Sequence, residues 1–251
     1  MVATNEPSMG LFEHLIELRQ RLFRAVVAWI VATIIASVFA DTLVGWLVSP
    51  LQGSSVIVLS PTEAPIVYFK VALAAGFGMS LPVILYQVYS FVAPGLYPNE
   101  RTVVLTGIPA ALVFFILGGL FTLQILMPIS LPVLMGFLGE VVEPTYSLES
   151  YLSFVTTLVV WMGIIFQTPL VVYIVSRLGL LTPKQLASGR RVVWFLAVIF
   201  AAVVTPTTDP VTLLLVTGPF ILLYEIGLIL GRVGTRQRER AAKEREQENL
   251  S

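Results

Sequence analysis

The chain changes from charged to apolar within HLIELRQRLFRAVVAWIVATIIASVFA, residues 14–40. From residue 23 to residue 40 the only charged side chain is Arg24. A helix of that length approaches the thickness of a bilayer core, which is about 30 Å. Because lipid cannot hydrogen-bond to the backbone, such a segment must satisfy its own polar groups. The stretch therefore predicts a first transmembrane helix behind a charged patch.

The whole chain has the composition of a membrane protein. It has 251 residues, of which 57% are hydrophobic and 12% charged, and its mean hydropathy is +0.89. Such values lie outside the usual range of soluble domains. Six segments approach the length of a span: 23–40, 71–92, 103–127, 152–176, 192–205 and 211–230. We predict an all-α integral membrane protein with six transmembrane helices, the fifth and sixth of them short.

The basic residues are distributed unevenly between the two sides of the predicted bundle. Lys and Arg precede the first span, follow the sixth, and occur between spans two and three and between spans four and five. The alternate loops, 41–69, 128–151 and 206–210, contain neither residue, and Lys70 can snorkel outward from the end of its span. Because positively charged loops stay in the cytoplasm, both termini are predicted to be cytoplasmic.

Three regions are predicted along the chain. Residues 1–22 hold an N-terminal amphipathic helix, expected over 10–22 and lying at the membrane interface before the chain turns into span one. Residues 23–230 form the membrane domain, with extracytoplasmic loops rich in apolar residues that predict short elements packed as a cap. Residues 231–251 alternate in charge and predict a cytoplasmic tail, either a solvated helix or a disordered segment.

Two acidic groups lie at the predicted cytoplasmic edge. Glu17 and Arg21 have the favourable i,i+4 order of an ion pair, and His14 is expected to be a satisfied interfacial group beside them. Glu100 lies in FVAPGLYPNERT, residues 91–102, in a turn stiffened by Pro and Gly. Both acids also have a structural interpretation. The first could neutralise a wetted helix surface, and the second could stabilise the first turn of span three.

Further polar residues lie within or between the predicted spans. Gln124, Gln167 and Glu225 fall inside the membrane, where a Gln can hydrogen-bond to a neighbouring helix. Asp209 either caps span six or has a functional role. The sequence contains no nucleotide-binding glycine loop, no hydrolase elbow, no zinc-protease motif, no Cys and a single His. We expect no catalytic residue, no metal, no cofactor and no nucleic-acid partner.

Several long motifs resemble one family in the same order along the chain. They are HLIELRQRL, SPTEAPIVYFKVALAAG, LPVILYQVYSFVAPGLYPNER, SYLSFV and TPTTDP. Together the motifs, which run nearly end to end, resemble the TatC family, the multispanning core subunits of the twin-arginine protein translocase. The resemblance implies a subunit of the cytoplasmic membrane that binds paired-arginine signal peptides. It also implies export of folded proteins driven by the proton motive force.

The resemblance also implies roles for residues of this chain. The motif acids of the family match Glu17 and Glu100, which would form the signal-recognition surface. Arg19 and Arg21 would position these acids, and Phe91, Pro94 and Leu96 would shape the adjoining surface. Gln167 stands where the family commonly has Glu and would contact a partner subunit, whereas Pro50, Glu63 and Asp209 are assigned to the cap and to later transport steps.

The implied partners are small single-span subunits of the TatA and TatB type, the signal peptides of folded cargo proteins and the lipid bilayer, in an oligomeric complex. Two other classes of protein were weighed. A solute transporter would need polar groups and broken helices at the midplane, where the sequence offers mainly Gln167. An intramembrane protease would need a buried nucleophile and base, and we expect no Ser with Lys dyad in the spans.

Overall fold

A computed structural model describes residues 11–51, 56–93, 98–136, 146–205 and 209–248. Within these ranges the backbone alone is described for residues 11, 98–100, 135, 241–246 and 248. The helices, in chain order, are α1 Leu11–Ser37, α2 Ala40–Val48, α3 Glu63–Val92, α4 Pro98–Phe121, α5 Met127–Gly136, α6 Leu148–Ile165, α7 Thr168–Leu178, α8 Pro183–Ser188, α9 Arg190–Val204 and α10 Pro210–Glu248. The other described elements are a 3-10 helix Ser49–Leu51, a π-helical segment Thr122–Leu126 and the strands β1 Val56–Ile57 and β2 Tyr146–Ser147.

Five described helical stretches are long and apolar enough to cross a membrane: 12–37, 63–92, 101–134, 148–178 and 210–240. Their surfaces carry exposed apolar side chains such as Phe69, which is 62% exposed, and Leu214, which is 68% exposed. The predicted fifth span corresponds to α9, whose 15 residues are fewer than the roughly 20 that a bilayer core requires. The fold is therefore that of an all-α multi-pass membrane protein with a short α9.

The first helix differs from the prediction because it has no turn before the span. The amphipathic segment expected over 10–22 continues without a break into the first span, as the single helix α1. No Gly or Pro occurs between Leu11 and Ser37, so the sequence offers no residue that would end the helix. Helices α1 and α3 pack antiparallel, and two hydrogen bonds join them. Trp29 Nε1 donates to the Leu73 carbonyl at 2.9 Å, and the Tyr68 hydroxyl donates to the Ser37 carbonyl at 2.6 Å.

The last helix also differs, because the prediction of a short sixth helix is wrong. Helix α10 has 39 residues and continues into the charged tail. The tail is rich in Arg, Glu, Gln and Ala, which favour helix when lipid no longer surrounds the chain. It packs against α7 at Gln237, whose Oε1 accepts a hydrogen bond from the Tyr173 hydroxyl at 2.9 Å. The end of α7 is Gly179, with φ of 73°, and the Arg238 guanidinium lies directly over it.

The predicted fourth span is broken into α6 and α7 at Phe166 and Gln167. Pro169 near the start of α7 lacks an N–H and restricts the residue before it, which explains why one helix ends and another begins here. The break places the Gln167 backbone at the start of α7 and turns its side chain toward α4, whose Ala111 carbonyl it contacts.

Three helices meet at a narrow waist in the middle of the membrane domain. Phe115 of α4 is 8% exposed and lies between Gly78 of α3 and Gly163 of α6. A methyl group added to Gly78 or Gly163 would lie 2.6 or 2.5 Å from the Phe115 ring. Real carbon contacts are longer than that, so only glycine allows α3 and α6 to approach the ring so closely. Two grooves lie near this waist, one between α3, α4 and α7 and the other between α2, α3, α4 and α6.

The loop segments at one end of the bundle form a structured cap, as predicted. Helix α2, the 3-10 helix, α5 and a short parallel pair of β1 and β2 lie there, with Val56 opposite Tyr146. The buried Tyr151 hydroxyl donates to the Leu47 carbonyl at 2.9 Å and joins α6 to α2. We call this the cap end, and the opposite end, where α1 begins and the α10 tail lies, the termini end.

Candidate functional site

Glu17 holds the centre of a charged patch at the termini end. Arg21 donates from Nε to Glu17 Oε1 at 2.8 Å, and its Nη2 contacts the same oxygen. The Arg21 side chain is 20% exposed and the Glu17 side chain is 19% exposed. The other oxygen, Oε2, is buried and accepts no hydrogen bond from any described residue. The carboxylate is thus held through one oxygen, while the second is a buried acceptor without a described donor.

His14 connects this carboxylate to the end of α3. Its Nδ1 lies 3.8 Å from Glu17 Oε2, and its ring stacks on Phe91 with centroids 4.2 Å apart and planes at 21°. Phe91 is the second-last residue of α3, so the stack brings the start of α1 to the point where the turn toward α4 begins. The prediction that Phe91 adjoins the Glu17 surface is consistent with this contact. The stack with His14 was not predicted.

The remaining residues of the predicted recognition surface follow α3 in the sequence. Glu100 is the third residue of α4, and its backbone therefore lies in the first helical turn. Its side chain lies outside the described atoms, as do Pro94 and Leu96 as whole residues. The expectation that these residues adjoin Glu17 stays a prediction.

Arg19 does not share the surface of Glu17. Residues two positions apart are separated by about 200° around the axis of an α-helix. Arg19 therefore lies on the far side of α1 from Glu17. It borders a surface depression with Gln20, Phe23 and Arg24. Arg21 is the only described arginine that contacts the Glu17 carboxylate. The predicted positioning role therefore has structural support for Arg21 and none for Arg19.

Gln167 holds α7 to α4 and α6 through its amide nitrogen. Nε2 donates to the Ala111 carbonyl at 3.0 Å and to the Gly163 carbonyl at 3.1 Å. Its Oε1 is buried and has no hydrogen-bond partner in the described part of the chain. A buried acceptor without a hydrogen bond costs free energy. Gln167 Oε1 is therefore a candidate acceptor for a donor on another protein.

Gln167 borders a groove of about 330 Å³ at the termini end, between α3, α4 and α7. Its walls are apolar, with residues such as Leu85, Ile108 and Ile174. Gln167 and Tyr89 are the polar residues among those that border it, but the exposed surface of the groove is apolar. Such a groove matches the apolar face of a transmembrane helix.

An ion pair explains Glu225, which the sequence analysis placed inside the predicted membrane. Arg190 Nη2 donates to Glu225 Oε2 at 2.6 Å and joins the start of α9 to α10. Next to it the Tyr224 hydroxyl donates to the Leu186 carbonyl at 2.7 Å. Burial of a charge is tolerable when it is paired and hydrogen-bonded, so Glu225 has a structural role in this position.

A Ser and a Lys do meet in the spans, so the expectation that no such pair exists was wrong. Lys70 Nζ donates to Ser153 Oγ at 2.6 Å between α3 and α6, near the cap end. The same ammonium lies 4.0 Å from Glu149 Oε1, and the Lys70 side chain is 40% exposed. A general-base Lys needs a buried setting, whereas this one is partly exposed and lies beside a carboxylate. The pair therefore gives no support to a protease.

The three cap candidates have distinct settings. Asp209 Oδ1 accepts from the Thr212 backbone N–H at 2.7 Å, which confirms the predicted cap of the last helix. Glu63 is the first residue of α3 and is 6% exposed, and its Oε2 has no hydrogen-bond partner among the described residues. Pro50 lies within the 3-10 helix.

Comparison with known proteins identifies the family. The model of the family TatC, Sec-independent protein translocase protein, matches residues 13–219. A TatC of Aquifex aeolicus is 38% identical over 241 residues, which cover 94% of this chain and 100% of that protein. A TatC of Deinococcus radiodurans is 35% identical over 234 residues, which cover 90% of this chain and 87% of that protein.

Solved structures agree with the sequence comparison. A crystal structure of the twin-arginine translocase receptor TatC superposes with a TM-score of 0.78 at 38% identity, covering 89% of this chain and 100% of that chain. A second structure of that receptor, in the detergent DDM, gives a TM-score of 0.79 with 87% and 99% coverage. From the matched family model, the relatives and the shared fold, the chain belongs to the TatC family of Sec-independent protein translocase proteins.

Proposed function

We propose that this chain is the receptor subunit of a twin-arginine translocase, and that Glu17 and Glu100 bind the paired arginines of a signal peptide. The observation that carries the proposal is the state of the Glu17 carboxylate. Arg21 holds Oε1, while Oε2 is buried without a hydrogen-bond donor among the described residues. A carboxylate fixed in this way is ready to accept a guanidinium without losing rotamer freedom on binding.

The chemistry of the site favours arginine over lysine. A guanidinium presents a planar fork of N–H donors that matches a carboxylate, whereas an ammonium is a compact and strongly hydrated point charge. Two consecutive Arg side chains need two acceptors close together. Glu17 on α1 and Glu100 at the start of α4 supply them, since Phe91 joins α1 to the turn between α3 and α4.

In this proposal the protein spans the cytoplasmic membrane six times, with α9 as a short fifth span and with both termini in the cytoplasm. The distribution of Lys and Arg in the sequence supports that orientation, since the loops at the cap end carry neither. The recognition surface at the termini end would then face newly made cargo in the cytoplasm. The short α9 would thin the bilayer locally, which lowers the cost of moving a polar chain across it.

Gln167 would contact a single-span partner of the TatA or TatB type within an oligomeric complex. Its buried Oε1 can accept a hydrogen bond, and the apolar groove beside it fits a transmembrane helix. A neutral amide cannot titrate, so we assign no proton transfer to this position. The chain acts as a non-enzymatic subunit, and transport of folded proteins with the proton motive force is a property of the complex.

The cap candidates would serve later steps of transport rather than recognition. Pro50, Glu63 and Asp209 lie at the cap end, which in this proposal faces the far side of the membrane from Glu17. The Asp209 carboxylate already caps α10, so its contribution includes the stability of that helix.

The proposal is tested by crosslinking a paired-arginine signal peptide to membranes that contain the protein. We expect Glu17→Ala and Glu100→Ala each to abolish the crosslink, while the protein remains membrane-inserted. Glu149→Ala is the matched control, because Glu149 is a partly exposed carboxylate at the cap end. Crosslinking that persists in both variants would leave the acids with a purely structural role.

A further inference from the structure

The first turns of α1 have few contacts that could fix their position. Their apolar side chains are exposed, with Phe12 at 82%, Leu15 at 53%, Leu18 at 44% and Leu22 at 62%. The closer packing of α1 on α3 lies further along, for example where Gly76 meets Thr33. A helix end without packing frays easily and changes direction, so a carboxylate at residue 17 needs an additional constraint.

His14 supplies that constraint through an aromatic contact. Its ring and the Phe91 ring are nearly parallel, with an angle of 21° and centroids 4.2 Å apart, which is the geometry of a stacked pair. Glu17 follows His14 by one helical turn on the same face of α1. The position of the His14 ring therefore determines where the Glu17 carboxylate lies relative to the end of α3.

The imidazole borders the free oxygen of Glu17 without occupying it. Nδ1 lies 3.8 Å from Oε2, which is beyond hydrogen-bond distance, and no described donor reaches that oxygen. Arg21 restrains the same carboxylate from the other side through Oε1. The ring and the guanidinium thus confine the carboxylate from two sides, and Oε2 is left buried without a hydrogen bond from any described residue.

We infer that His14 is a positioning residue for paired-arginine recognition, because its stack on Phe91 holds Glu17 beside the end of α3. The inference rests on the proposed function. It assigns the role to the aromatic face of His14, so a flat ring without a titratable nitrogen should serve nearly as well. A stacked aromatic pair corresponds to a change of about 2- to 10-fold in an equilibrium constant.

The test is the affinity of a fluorescent paired-arginine signal peptide for the full-length protein in detergent. We expect His14→Ala and Phe91→Ala each to weaken binding by about 2- to 10-fold, and the double variant to weaken it no further than either alone. His14→Phe should restore affinity to within about twofold of the native protein, because it keeps the stack. Phe12→Ala is the control, because it removes an exposed ring from the same helix turn and should change nothing.

Three results would overturn the inference: native affinity in His14→Ala, failure of His14→Phe to restore binding, or additive losses in the double variant. A native protein that binds paired-arginine and paired-lysine peptides equally would contradict the proposed function instead.

A distance measurement tests the positioning without any peptide. The sequence contains no Cys, so spin labels at Leu18→Cys and Val88→Cys report the separation of α1 from the end of α3. The distance distribution should broaden in His14→Ala and return to the native width in His14→Phe. Equal widths in all three proteins would show that the stack does not hold α1 in place.

Discussion

The waist around Phe115 makes a quantitative prediction about Gly163→Ala. The added methyl carbon would lie 2.5 Å and 2.6 Å from two carbons of the Phe115 ring. Ordinary carbon contacts begin near 3.5 Å, so the ring would have to move by about 1 Å. It cannot move freely toward α3, because a methyl on Gly78 would already be 2.6 Å from the opposite side of the ring. The substitution therefore forces the helices apart.

The expected loss follows from the cost of overpacking. Inserting a methyl group into a packed core costs about 1–3 kcal/mol, while Ala is more favourable than Gly in a helix by up to about 1 kcal/mol. Gly45→Ala separates the two effects, because nothing lies within 4 Å of a methyl group there. The difference in unfolding free energy between the two variants should thus be about 1–3 kcal/mol.

Thermal unfolding in detergent measures this difference. For a chain of this size, 1 kcal/mol corresponds to a Tm change of about 2–4 °C, so Gly163→Ala should unfold roughly 2–12 °C below Gly45→Ala. Phe115→Leu in the Gly163→Ala background should recover part of the loss, since the smaller side chain leaves room for the methyl group. Equal Tm values for the two glycine variants would refute the close packing at the waist.

Three further predictions concern single contacts. Asp209→Ala should lower the free energy of unfolding by about 1 kcal/mol through loss of the α10 cap, while Asp209→Asn should retain most of it in thermal unfolding. Arg190→Ala and Glu225→Ala should show a coupling energy of up to about 1 kcal/mol in a double-mutant cycle, small because both side chains are partly exposed; zero coupling would contradict the ion pair. Gln167→Leu should reduce co-purification with a single-span partner, and native co-purification would show that the amide acts only within this chain.

Local patterns allowed the sequence to predict much of the fold. Apolar runs predicted the helical membrane domain, and the i,i+4 order of Glu17 and Arg21 predicted their ion pair. Asp209 before a Pro predicted the cap of α10, since capping depends on residues only three apart. Each of these features is determined within one or two helical turns.

Features that depend on distant residues were missed. The His14 stack on Phe91 and the Arg190 pair with Glu225 join residues that are 77 and 35 positions apart, by the difference of their numbers. No periodicity within one helix reports such a meeting. The Lys70 bond to Ser153 was missed for the same reason, because it spans 83 positions.

Helix boundaries were also predicted poorly where the solvent changes along one helix. The prediction ended the last span near residue 230 because the chain becomes charged there, whereas α10 continues to Glu248. Hydropathy reports where lipid ends, and helix propensity reports where the helix ends. The same distinction explains α1, which is amphipathic at its start and apolar later but is one helix throughout.

In the proposed function, Glu17 and Glu100 form an acceptor pair for consecutive arginines. The most direct measurement compares the affinities of a paired-arginine signal peptide and its paired-lysine counterpart for the purified protein, and repeats the comparison in Glu17→Gln and Glu100→Gln. Loss of a charge-assisted hydrogen bond costs about 1.5–3 kcal/mol, so each variant should bind the arginine peptide at least about 10-fold more weakly and lose most of its preference over lysine. Equal binding of both peptides, unchanged in both variants, would contradict the account.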